Sequence, residues 1–147
     1  MIAVLQRTSN ASVSVKDKII GQIKHGVVVL LGVKRGDSYG ESEYLAQKVS
    51  KLRIFNDKQN KMNLSLGDIS GSVLVISQFT LCADTRKGRR PSFVNAESPE
   101  LSKKLYNKFI SCLEDKGLKV QSGEFGSNMD VELVNNGPVT FVLDSED

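Results

Sequence analysis

Four branched aliphatic residues in a row, Val73-Leu74-Val75-Ile76, constrain this chain more than any other stretch. A short apolar run with no polar alternation, entered from Gly71-Ser72, is the pattern of a strand buried on both faces. Such a strand needs a neighbour along each edge and cover above and below, and the rest of the chain has to supply them. The run gives way to Ser77-Gln78-Phe79-Thr80-Leu81, which puts three polar side chains at the end of a rigid element. Polar groups placed there either satisfy nearby main chain or line a pocket.

The neighbours can be read along the chain. Ile2 to Arg7 has the pattern of a first strand, and Ala11 to Val15 alternates as a half-buried strand does. Asp17-Lys18 turns the chain back into Ile19 to Ile23, and Val27 to Val33 is a second fully apolar strand. Ser38 and Glu41 are spaced as a capping box, and Tyr44, Leu45, Val49 and Leu52 then fall on one helical face. Asn56 to Asn60 is a polar turn before Met62-Asn63-Leu64. Ser98 as N-cap and Pro99 at N1 open a second helix with an apolar stripe of Leu101, Leu105, Phe109, Cys112 and Leu113, stopped at Gly117. Three strands are expected after it: Leu118 to Gln121, Met129 to Val134 and Val139 to Leu143, with Asn135-Asn136-Gly137-Pro138 as the turn joining the last two. Strands in hairpin order with two interposed helices predict a mixed α/β architecture, one domain over residues 1–147 with no repeat or linker.

Composition narrows the chemistry. The chain has a single histidine, His25, in the turn-like Lys24-His25-Gly26, where a surface position is expected. That leaves no histidine for a triad and none for a His-rich zinc site, so no metal is expected. Cys82 and Cys112 lack CxxC spacing, no signal segment precedes them, and free thiols in a cytoplasmic protein are expected. No apolar run reaches the length of a membrane span. The formal charge is only +3, but four cations crowd into Arg86-Lys87-Gly88-Arg89-Arg90, on an irregular stretch from Ala83 to Glu97. A run of this kind is either a solvated loop or a phosphate clamp, and guanidinium groups suit the latter. Lys103, Lys104 and Lys108 could extend it along the second helix.

Six short strings, in order, resemble the D-aminoacyl-tRNA deacylase (D-Tyr-tRNA deacylase) family: Val4-Leu5-Gln6-Arg7, Leu52-Arg53-Ile54-Phe55, Lys61-Met62-Asn63-Leu64, Ser77 to Leu81, Ala83 to Phe93, and Asn136-Gly137-Pro138-Val139-Thr140. The resemblance implies a strongly curved, barrel-like sheet with two helices packed outside. It implies a homodimer that hydrolyses the ester of D-aminoacyl-tRNA, and of glycyl-tRNA, at the tRNA 3′ acceptor end without a cofactor. It assigns catalysis to Ser77, Gln78, Phe79 and Thr80. Gly137-Pro138, held in the cis form, would reach into the partner's pocket as a main-chain filter that rejects L-residues, supported by Arg7, Asn136, Val139 and Thr140. Arg86, Lys87, Arg89 and Arg90 would bind tRNA, and Met62 would contact the terminal adenosine.

The residues leave the nucleophile open. Thr80 or Ser77 would need a base, none is adjacent in sequence, and Gln78 cannot take a proton at neutral pH. The alternative is a water positioned by the substrate's own ribose hydroxyl, with amides between Ser77 and Thr80 receiving the oxyanion. Two other functions fit the same motifs: a relative with a relaxed filter that removes mischarged L-amino acids, and a non-catalytic tRNA-binding module.

Overall fold

The computed structural model describes all 147 residues. Its frame is a six-stranded sheet built on one very long strand, β1 (Ile2–Val15). Along one edge β1 pairs antiparallel with β2 (Lys18–Ile23) and, nearer its start, with β3 (Gly26–Gly32). Along the other edge it pairs for almost its full length with β8 (Asp130–Asp144). Beyond β3 the sheet turns parallel, with β6 (Ser72–Ser77) and then β7 (Lys119–Ser122). Parallel neighbours require crossovers, and the two helices provide them. Between β3 and β6 lie α1 (Tyr39–Lys51) and a small hairpin of β4 (Phe55–Asn56) and β5 (Met62–Leu64); between β6 and β7 lies α2 (Pro99–Glu114).

Burial follows the apolar pattern. Val73 and Val75 of β6, with Val27, Val29 and Leu31 of β3, face a core shared with Leu45 and Val49 of α1 and Leu105, Phe109 and Leu113 of α2. Leu74, Ile76 and Val28 point the opposite way, into a smaller cluster with Val13 and Ile23. The two parallel strands are thus buried on both faces, as their composition demands. The sheet curls until β2 meets β7: a Cβ at Gly21 would stand 3.0 Å from the Ser122 carbonyl oxygen. The helices lie together outside it, where the Ser42 hydroxyl of α1 donates to the Leu105 carbonyl of α2 at 3.0 Å.

Three local expectations need correction. Ile2–Arg7 and Ala11–Val15 are one strand, and so are Met129–Val134 and Val139–Leu143. Asn135 to Pro138 is therefore not a turn. Thr8 pairs with Asn135 and Gln6 with Thr140, so Arg7 alone stands opposite the four residues Asn136, Gly137, Pro138 and Val139. A four-against-one bulge pushes Gly137-Pro138 out into solvent, and the bond between them is cis. On α1, Tyr44 is exposed and the buried face is Ser42, Leu45, Ala46 and Val49; the Ser38–Glu41 capping box is present. Ser98 begins α2 without a side-chain cap, and its amide donates to the Glu97 carboxylate.

Candidate active site

β6 ends at Ser77, where it still pairs with Leu31 of β3. The residues that follow do not continue the strand. The Gln78 amide donates to the Leu31 carbonyl at 2.8 Å, and the chain then tightens into a 3-10 turn, Phe79–Cys82. Gly32 makes room for it: a Cβ there would lie 3.0 Å from the Gln78 carbonyl oxygen and 3.0 Å from the Leu81 Cβ. Phe79 and Thr80 open that turn, so their N–H groups point back toward the end of β6. The first amides of such a turn have no partner inside it. The Gln78 side-chain amide donates to the Thr80 hydroxyl oxygen, which fixes both side chains.

Beside this turn opens a cavity of about 590 Å³, within the size range of small-molecule sites. Ser77, Gln78 and Phe79 form one wall, while Phe93, Phe125 and Met129 face them. Tyr106 lies at the base, 3 % exposed, its hydroxyl donating to the Val75 carbonyl at 2.8 Å. Burial pushes the Tyr106 phenol up to about 12. Glu97 is the only carboxylate in the lining; hydrogen bonds from the Ser98 and Gly36 amides hold it below the usual carboxylate range. The wall of Phe93, Tyr106, Phe125 and Met129 was not foreseen from sequence. One signal was present: Phe125 stands between Gly123 and Gly126, and an aromatic in a glycine-bounded loop marks a ring with no strand or helix to serve.

Thr80 is exposed, outside the cavity lining, and its only side-chain contact is an amide donor. No histidine, lysine or carboxylate is hydrogen-bonded to Thr80 or Ser77. No three His, Cys, Asp or Glu side chains converge to hold a metal ion. The site therefore offers an apolar enclosure and two adjacent main-chain donors, without a protein base.

The bulge lies elsewhere. Arg7 sits beneath it, 7 % exposed, where a solvent-facing position at a strand end was the alternative. Its Nε donates to the Asn136 carbonyl at 3.0 Å, and its Nη1 to the Ile54 carbonyl at 2.7 Å and to Asn56 Oδ1 at 3.1 Å. Asn135 completes the bulge by accepting from the Val139 amide at 3.0 Å and donating to Thr140 Oγ1 at 2.9 Å. None of Arg7 and Asn135 to Thr140 lines the cavity, although Val131, nearer the start of β8, does. Within one chain they do not meet. Met62 joins neither: it is 45 % exposed on β5, opposite Asn56 and outside the cavity.

The cationic run forms the tip of a short hairpin closed by paired main-chain bonds between Asp84 and Ser92, at 2.7 and 2.9 Å. Arg86 folds back on Asp84 through Nε at 2.9 Å and Nη2 at 2.7 Å, and this holds the Asp84 carboxyl down at about 2. Lys87, Arg89 and Arg90 are exposed with no carboxylate partner, whereas Lys104 and Lys108 of α2 are paired with Glu100 and Glu43. Lys103 of α2 and Arg35 are exposed without a carboxylate partner as well, but the hairpin holds the densest group of unpaired cations.

A curved, nearly closed sheet with two helices packed outside and an apolar cavity at the end of β6 defines the class of fold. Comparison with known proteins gives the particular family. Residues 4–144 match the family described as D-Tyr-tRNA(Tyr) deacylase, and the chain belongs to it. A protein of Fervidobacterium nodosum named D-aminoacyl-tRNA deacylase is 54 % identical over 99 % of this chain and 98 % of its own. One of Thermosipho africanus with the same name is 52 % identical over 99 % and 98 %. Among solved structures, one described as c-Myc DNA Unwinding Element Binding Protein superposes with a TM-score of 0.92 at 37 % identity, covering 98 % of each chain. A probable eukaryotic D-amino acid tRNA deacylase shares the fold, with a TM-score of 0.83 at 18 % identity over 97 % of each. No helix is long and apolar enough to cross a membrane.

Proposed function

We propose that this protein hydrolyses the ester joining a D-amino acid, or glycine, to the 3′ end of tRNA. The observation that carries the reading is the 3-10 turn whose first two amides, those of Phe79 and Thr80, have no partner inside it and stand at the lip of an apolar cavity. The terminal nucleoside enters between Phe79, Phe93 and Phe125, which brings its aminoacyl ester to the turn. Water attacks the ester carbonyl carbon, the oxyanion accepts from the two amides, and the ribose oxygen leaves with a proton. The vicinal ribose hydroxyl orients the attacking water, a task for which the protein offers no base; proximity and preorganised donors supply the acceleration. Thr80, held by Gln78, positions rather than attacks.

Selection for the D-configuration comes from a second copy of the chain. The Gly137-Pro138 bulge is exposed, braced by Arg7, and contributes no residue to the cavity of its own chain. In a homodimer it enters the partner's cavity and presents main chain to the substrate α-carbon. An L side chain collides at Cβ, a D side chain points away, and glycine has nothing to exclude. The relatives named D-aminoacyl-tRNA deacylase, more than half identical, support the same substrate class.

The test is release of amino acid from matched D-, L- and glycyl-tRNA. Cleavage of the D and glycyl esters, with L spared, is the expected outcome. Cleavage of D-alanyl-tRNA with glycyl-tRNA spared would show a positive side-chain contact in place of exclusion. Nucleic acid bound with no ester cleaved would favour a binding module, a reading to which the name of the DNA-element-binding relative lends weight.

A further inference from the structure

We infer that Phe79 and Phe93 form a stacking platform for the penultimate base of the single-stranded acceptor end, with Lys87, Arg89 and Arg90 taking the phosphates beyond it. This rests on the reading above only in placing the terminal nucleoside in the cavity.

The two rings touch, with centroids 4.9 Å apart and planes at 61°, yet Phe79 remains 56 % and Phe93 39 % exposed. Both also line the cavity. A nucleotide chain whose last base is enclosed must leave past these two rings. Base faces stack on exposed aromatics regardless of sequence, which suits an enzyme acting on many tRNAs. Phe93 follows Ser92, the residue that closes the cationic hairpin on Asp84, so ring and cations belong to one short structural unit. The far end of that unit is also tied down: the Arg35 amide donates to Asn95 at 2.8 Å and the Glu97 amide to Val33 at 3.1 Å. The platform is thus fixed before substrate arrives, and Lys87, Arg89 and Arg90 stand unpaired on the hairpin that leads into it. The single-stranded end, rather than the duplex stem, is the ligand this order of cavity, rings and cations fits.

The test uses uncharged RNA and so does not depend on hydrolysis. A 5′-fluorescein RNA tetramer ending in CCA, and the same tetramer abasic at the penultimate position, are titrated by anisotropy against wild type, Phe93→Ala and Phe93→Leu. Wild type is expected to bind the intact tetramer about 5- to 100-fold more tightly than the abasic one, the range of base–aromatic stacking. Both variants should lose a large part of that difference, with Phe79 keeping the remainder, and Phe93→Leu retains an apolar brace for Phe79 should Phe93→Ala loosen the turn. Equal affinity of wild type for both probes, or an undiminished abasic penalty in Phe93→Leu, would overturn the platform. Absence of ester cleavage alongside a normal abasic penalty would instead remove the deacylase reading and leave the platform standing.

Discussion

Arg7 shows how one side chain can organise a site it does not enter. It is nearly buried without a carboxylate partner, and its three hydrogen bonds join the bulge to the β4 strand and the Ile54 carbonyl before it. Only a planar guanidinium reaches these acceptors together. Arg7→Lys should therefore leave the cavity intact and loosen the bulge: hydrolysis of D-aminoacyl-tRNA is expected to change less than 3-fold, while the D-to-L rate ratio falls about 10-fold or more, in line with loss of charged hydrogen bonds. An unchanged ratio would make Arg7 purely structural. Tyr106 gives a second residue-scale prediction. Its phenol is raised from 10.0 to about 12 by burial, so it contributes stability that is fully present below pH 10 and lost as pH rises toward 12. Ultraviolet titration should show one late-ionising tyrosine that disappears in Tyr106→Phe. The variant should cost only about 0.5–1.5 kcal/mol, because the Gly123 amide still donates to the Val75 carbonyl at 3.1 Å.

At the scale of elements, what could be read from sequence was what local periodicity encodes. β3 and β6 announce double-sided burial through unbroken aliphatic runs, α1 through its capping box, and the end of α2 through Gly117, whose φ is +77°. The bulges were illegible for a physical reason. Asn-Asn-Gly-Pro is turn chemistry, and nothing local shows that β1 runs past it and holds both sides in one strand. The cavity's far wall was equally hidden, because Phe125 and Met129 reach Phe79 only once β7 lies parallel to β6. The motif at the strand end was legible as chemistry but not as shape: its two amides lack a partner inside the turn because the chain leaves β6 into a 3-10 turn seated against Gly32. Gly32→Ala tests that seating. Its Cβ would press on main chain at 3.0 Å, so the turn should shift at an overpacking cost of about 1–3 kcal/mol. Turnover is expected to fall at least 10-fold with KM changed much less. Ser38→Ala, which removes the α1 cap far from the turn, should cost about 1 kcal/mol and leave turnover alone. Equal kinetic losses in the two variants would mean that general stability, and not the seating of the turn, sets the rate.

At the scale of the whole molecule, the proposed filter contributes no residue to the cavity of its own chain, so the proposed selection requires that copies meet. β8 pairs with β1 alone, so its other edge is unpaired, and Val134 and Val142 stand 52 % and 68 % exposed along the same strand. A long free edge is a surface that proteins cover or guard, and in a two-fold dimer built there both chains would present the same edge and bulge to each other. Mixing two damaged chains separates this arrangement from one in which the bulge acts at home. In the first, Gly137→Val spoils the filter: φ at that position is +136°, and an added Cβ would stand 2.6 Å from Val139 Cγ2 and 3.1 Å from Arg7 Nη2. Alone, this chain should cleave both D- and L-aminoacyl-tRNA. In the second, Ser77→Phe fills the cavity while leaving the bulge untouched, and alone it should cleave neither. After co-refolding, every mixed dimer has one open cavity, which belongs to the Gly137→Val chain and faces the intact bulge of its partner. With a tenfold excess of the plugged chain, random pairing puts all but about a tenth of the open cavities in mixed dimers. Cleavage of L-esters should then drop to about a tenth per open cavity while cleavage of D-esters holds steady. If L-cleavage stays constant at every mixing ratio, the bulge does not act across the dimer, and its absence from the lining of its own chain's cavity would need another explanation.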